Sequence, residues 1–125
     1  MNNIFSEIDL NNNKWEFKNG SNNTTIIFDC DDYWNELLKD YCINLLTSTN
    51  PIKPITASTY ILELRKWISE LPDNTKAKDI FTYEIEDYLI ENQDSTYYIS
   101  DFCNFYSNLF SPSVLSCFDN FKNSR

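Results

Sequence analysis

The spacing of hydrophobic and polar positions changes once along this chain. From Lys14 to Phe28 it alternates. Trp15 and Phe17 stand against Lys14, Glu16 and Lys18, and a second run holds Thr24, Thr25, Ile26, Ile27 and Phe28. Between the runs lie Asn19, Gly20, Ser21, Asn22 and Asn23. Alternation on both sides of a turn-forming cluster predicts a β-hairpin over about 14–28, with Gly20 free to take positive φ. Beyond Asp29 the apolar spacing lengthens to threes and fours, which predicts helices.

The first helix, about 30–47, has the stripe Trp34, Leu37, Leu38, Tyr41, Cys42, Leu45 and Leu46. Asp29 is placed to cap it, and Asp31 and Asp32 favour the positive end of its dipole. Pro51 and Pro54 break it. A second helix, about 56–71, carries Ala57, Tyr60, Ile61, Leu64, Ile68 and Leu71, and stops at Pro72, Asp73 and Asn74. A third, about 82–92, is opened by Thr82 with Phe81 as a staple, and carries Ile85, Tyr88 and Leu89. A fourth, about 95–110, opens at Ser95 or Thr96 and carries Ile99, Phe102, Cys103, Tyr106 and Leu109. Ser111, Pro112 and Ser113 end it, and 114–121 forms a short fifth. The fold class is therefore mainly α: a bundle of four to five helices preceded by a small N-terminal β-hairpin. Residues 1–13 read as a flexible N-terminus and 14–125 as one domain. No repeat of fixed period stands out.

Composition narrows the chemistry. With 125 residues, 42% of them hydrophobic, the chain can bury one core, and the 16% of aromatics supplies bulky packing. One Gly excludes a phosphate-cradling glycine loop. No apolar run approaches the roughly 18–20 residues that span a bilayer. The N-terminus lacks the basic-then-apolar order of a signal peptide, so a cytoplasmic location is expected. The four cysteines, at 30, 42, 103 and 117, lack metal-ligand spacing, and there is no His. They read as small buried hydrophobes. No cofactor is implied.

Residues 56–60, Leu64, Trp67, 79–82, Tyr88, Leu89, Ser95 and Thr96, in that order, resemble the core-binding domain of tyrosine recombinases, the phage and transposon integrases. The hairpin at Lys14 and Trp15, with Phe28 and Asp29 leading into a helix, resembles the region before it. The resemblance covers 14 to about 110. It implies a SAM-like bundle that clamps double-stranded DNA and positions the recombination site. Binding would be weak alone and aided by the parent protein's own catalytic domain and by neighbouring protomers. It implies no catalytic residue in this chain, because the His and the room for a catalytic domain are both absent.

The DNA contacts the resemblance implies are Thr56, Ser58, Thr59, Arg65 and Lys66 on helix two, and Ser95, Thr96, Tyr97 and Ser100 at the start of helix four. Lys53, Lys76 and Lys78 complete the densest basic cluster. Helix N-termini, hydroxyls and cations all suit phosphate. The plainer roles are helix capping for Thr56, Ser95 and Thr96, a solvated face for Arg65 and Lys66, and solubility for Lys76 and Lys78.

Charge opposes this reading. Ten basic residues against nineteen acidic leave a net charge of −9, whereas affinity for DNA rests on cations that release counterions. Asp94 and Asp101 lie beside the proposed contacts. The acidic balance fits a second class, a small phage-type DNA mimic or adaptor that binds a basic protein. A structural helical module is the third. Glu84, Glu86, Asp87 and Glu91 form an acidic run on helix three. It lacks the two unequal carboxylates across a cleft that acid–base chemistry needs, and as a magnesium site it is unspecific.

Overall fold

The computed structural model describes residues 5–19 and 21–122. Its elements are β1 (Lys14–Asn19), β2 (Asn22–Ile27), α1 (Asp32–Thr47), α2 (Pro54–Ile68), α3 (Thr82–Glu91), α4 (Thr96–Phe105), α5 (Pro112–Cys117) and α6 (Asp119–Lys122). Single 3-10 turns, Ala77–Asp79 and Gln93–Ser95, lead into α3 and α4. The fold is mainly α with an N-terminal hairpin, as the apolar pattern predicts. The chain divides into two compact units, Met1–Arg65 and Lys66–Arg125, where the pattern suggested a single domain over 14–125. The last turn of α2 belongs to the second unit.

In the first unit, β1 and β2 pair antiparallel with Trp15 opposite Ile26 and Phe17 opposite Thr24. Period-two alternation puts Trp15, Phe17 and Ile26 on one buried face and Lys14, Glu16 and Lys18 on the exposed one. Trp15 meets Phe28 edge-on, with 4.7 Å between ring centroids. Phe5 packs against Trp15 and Phe17 at 5.8 and 5.9 Å. Gly20, the expected turn residue, lies outside the described residues.

The entry to α1 differs from the expected one. Asp31, not Asp29, is the cap, and its Oδ1 accepts the Trp34 N–H at 2.9 Å. The buried Asn35 ties down the approach: its Nδ2 donates to the Cys30 carbonyl at 3.0 Å and its Oδ1 accepts the Cys30 N–H at 2.9 Å. Buried residues Trp34, Leu38, Tyr41, Cys42, Leu45 and Leu46 form the inner stripe of α1. After α1, the Ile52 N–H returns to the Leu45 carbonyl at 3.0 Å. Pro54 then occupies the first turn of α2, where its missing N–H costs nothing. This moves the start of α2 two residues before the expected Thr56. Ala57, Ile61 and Leu64 face inward.

In the second unit, Trp67 is fully buried and meets Phe102 of α4 at 6.4 Å, and Phe102 meets Phe110 at 6.2 Å. The 72–75 turn follows, where Asn74 takes the left-handed φ of 64° that Asn tolerates better than most residues. The cap of α3 also differs. The Glu84 carboxylate accepts the Phe81 N–H at 2.9 Å, half of a capping box, and Thr82 is the first helical residue. Phe81 is not a buried staple; its ring lies outside. α4 ends at Phe105 rather than about 110, and turns lead to Ser111. The Ser111 Oγ accepts the Val114 N–H at 3.3 Å, with Pro112 opening α5. Both α3 and α4 pack on α5.

Candidate functional site

The residues proposed for DNA contact fall on both units. In the first, Lys53, Thr56 and Thr59 are exposed around the start of α2. The Lys53 carbonyl accepts the Ala57 N–H at 2.9 Å, continuing the helix ladder outward. Ser58 is half-buried, and its Oγ donates to the Ile55 carbonyl at 2.6 Å. Its hydroxyl proton is spent within its own helix.

Arg65 is engaged elsewhere. Its Nε donates to Asp29 Oδ1 at 2.7 Å and its Nη2 to Asp29 Oδ2 at 2.8 Å. This fork-to-fork geometry uses the planar guanidinium fully. It holds the Asp29 carboxyl below its usual 3.8 and pushes the Arg65 guanidinium further up. Asp29, expected to cap α1, instead neutralises the one arginine among the proposed contacts. Because the pair is partly solvated, it stabilises by no more than about 1 kcal/mol.

In the second unit the α4 residues separate sharply. Ser95, Thr96 and Ser100 are 4%, 7% and 1% exposed, while Tyr97 is 58% exposed. Thr96 Oγ1 donates to the Gln93 carbonyl at 2.7 Å. The Ser100 carbonyl accepts from Asn104 Nδ2 at 2.9 Å. These three are corrected from contact residues to interior ones. The reason is periodicity: Thr96, Ser100 and Cys103 share the side of α4 that carries Ile99. Lys66 and Lys78 are exposed and Lys76 is half-buried. The Lys76 N–H lies 3.4 Å from Asp79 Oδ2, which tethers the 3-10 turn after it.

A different surface comes forward on α3. Tyr83, Asp87, Ile90 and Glu91 are all exposed, and their spacing of four, seven and eight puts them on one helix face. Phe81, Tyr83 and Ile90 are 63%, 60% and 61% exposed. The Phe81 and Tyr83 rings stack, with 5.7 Å between centroids and 12° between planes. Glu86 turns away from this face. It lies near enough to Cys117 of α5 to help raise that thiol, with burial the larger cause, to about 11. The expected acidic run is therefore divided: Glu84 caps, Glu86 faces α5, and Asp87 and Glu91 point out.

Two sequence signals mark this surface. Between Lys78 and Lys122 there is no Lys or Arg, while Asp79, Glu84, Glu86, Asp87, Glu91, Asp94, Asp101 and Asp119 are acidic. In addition, α3 and α4 begin alike. Thr82, Tyr83, Ile85 and Asp87 match Thr96, Tyr97, Ile99 and Asp101, each helix running ten residues. In both helices the Tyr is exposed and the Ile buried.

All four cysteines are free thiols, Cys30 half-buried and the other three buried. Burial pushes Cys42 up to about 12 and raises Cys103 well above an ordinary thiol. Cys30 rises to about 11 through burial, aided by the Asp29 charge. Among the described residues, no group of three or more Cys, Asp or Glu is arranged to hold a metal ion. No described helix is long and apolar enough to cross a membrane. Comparison with known proteins returns no matching family, no matching curated protein and no matching solved structure.

Proposed function

We propose that this chain is a cytoplasmic, non-catalytic binding module that presents an acidic surface to a basic partner protein, as an adaptor or a mimic of the DNA phosphate array. The observation that carries the reading is the 79–121 stretch of the second unit, with eight acidic residues and no Lys or Arg, and with Asp87 and Glu91 outward on α3. Duplex DNA would meet these carboxylates without the clustered cations that release its counterions. Arg65 is already paired with Asp29, so a phosphate would have to compete with a carboxylate for the best donor of the competing account.

A second reading keeps the resemblance to the core-binding domain of a tyrosine recombinase. It is favoured by the order of hairpin then helices and by the exposed Lys53, Thr56 and Thr59 at the start of α2. In that reading the module positions double-stranded DNA for a catalytic domain and for neighbouring protomers.

Fluorescence anisotropy of a labelled duplex DNA decides between them. The acidic module leaves the anisotropy unchanged even at about 50 mM salt, where phosphate contacts are strongest. A rise that collapses steeply with added salt contradicts it and favours the second reading.

A further inference from the structure

Building on the acidic-module reading, we infer that the outward face of α3 is its docking surface, and that the occupant is an arginine-bearing amphipathic segment of a partner protein. Large apolar side chains scattered singly over a surface are ordinary. Here three of them lie within ten residues, and two are rings stacked on each other in the open. Stacking outside the core leaves a broad π face toward solvent. Such a face attracts cations, and the flat guanidinium stacks on it better than an ammonium does.

Asp87 and Glu91, one helical turn apart on the same face, supply carboxylates that a guanidinium can grip bidentately. Ile90, seven residues after Tyr83 and so nearly in line with it along the helix, offers apolar contact to a leucine or valine of the same segment. The occupant therefore carries basic and apolar side chains on one face, with arginine preferred to lysine. No cation in the 79–121 stretch competes for these carboxylates. Duplex DNA presents the wrong charge to this face.

The test is isothermal titration of the full chain with a synthetic amphipathic helical peptide bearing arginines and leucines on one face. The same peptide with lysines, and duplex DNA, are titrated alongside. Binding of the arginine peptide weakens on the order of tenfold when Phe81→Ser and Tyr83→Ser are combined, and similarly for Asp87→Asn with Glu91→Gln. Because all four side chains lie outside the core, circular dichroism stays unchanged. The charge-matched pair Glu36→Gln with Asp40→Asn, exposed on α1 and not on α3, changes affinity less than about twofold, since exposed charges that do not touch the peptide are screened.

Equal weakening by the two charge-matched pairs overturns the inference and leaves the acidic-module reading standing, because binding would then follow overall charge. A lysine peptide that binds as tightly as the arginine one overturns the role given to the rings. No binding of the arginine peptide to the unaltered chain at low salt, or binding of DNA in its place, overturns both.

Discussion

The start of α2 and the start of α4 carry the same kinds of residue with opposite fates. At α2, Thr56 and Thr59 are exposed; at α4, Ser95, Thr96 and Ser100 are buried. Both stretches read as hydroxyl-rich helix openings suited to phosphate. What separates them is phase relative to the buried residues. Around α2, Ala57, Ile61 and Leu64 define the inward side, and Thr56 and Thr59 fall off it. Around α4, Ile99 and Cys103 define it, and Thr96 and Ser100 fall on it. Small hydroxyl side chains fit a helix interface when they can bond the backbone, as Thr96 does to Gln93. Residue type alone thus misreads availability; residue type with helical phase reads it correctly.

The largest expected effect comes from the core that sets this phase. Trp67→Ala removes a fully buried ring that meets Phe102. It should destabilise the second unit by about 3–5 kcal/mol in denaturant unfolding followed by circular dichroism. A loss under about 1 kcal/mol would mean that the ring is not packed as described.

The next effect addresses the comparison itself. Ser100→Glu places a carboxylate in the interior of α4 and should cost roughly 3 kcal/mol. Thr59→Glu, at the exposed start of α2, should stay within about 0.5 kcal/mol. Equal costs would erase the difference between the two helix openings.

Smaller effects separate the two aspartates before α1. Asp31→Ala removes the cap on Trp34 and should cost about 1 kcal/mol. Asp29→Asn breaks the charge pair with Arg65 and should cost no more than about 1 kcal/mol at neutral pH. The pH dependence distinguishes them further. Asp29 has its carboxyl held below 3.8 in the fold. Its contribution is complete above that value and is lost as acid takes the pH down through the lowered one. Asp29→Asn should therefore differ from the parent at neutral pH and converge with it once the pH falls below the lowered Asp29 value. A gap that stays constant through acid would show that the Arg65 contact does not depend on the Asp29 charge.

Much of the fold was legible in the sequence. Trp15 and Phe17 alternating with Lys14, Glu16 and Lys18 give the hairpin, and the apolar spacing of Trp34 through Leu46 gives α1. The boundaries slipped where two residues compete for one task. Asp29 and Asp31 can both cap; Asp31 does, while Asp29 pairs with Arg65, 36 positions away. Pro54 reads as a breaker but serves as a first-turn residue. The 95–110 pattern runs past the end of α4 because Tyr106 and Phe110 still meet Phe102 from turns. Within the recombinase-like contact set, Ser95, Thr96 and Ser100 are buried and Arg65 is held by Asp29, and no local signal reports either. The acidic stretch was visible as charge. Its aromatic companions Phe81 and Tyr83 were not, because an aromatic next to a helix start reads first as a staple.

The most direct test of the proposed interaction is amide NMR of the isotopically labelled chain titrated with the arginine-bearing peptide and, separately, with duplex DNA. The account predicts peptide-induced shifts centred on Tyr83, Asp87, Ile90 and Glu91, and none from DNA. Shifts from DNA centred on Lys53, Thr56 and Thr59, with α3 silent toward the peptide, would contradict it.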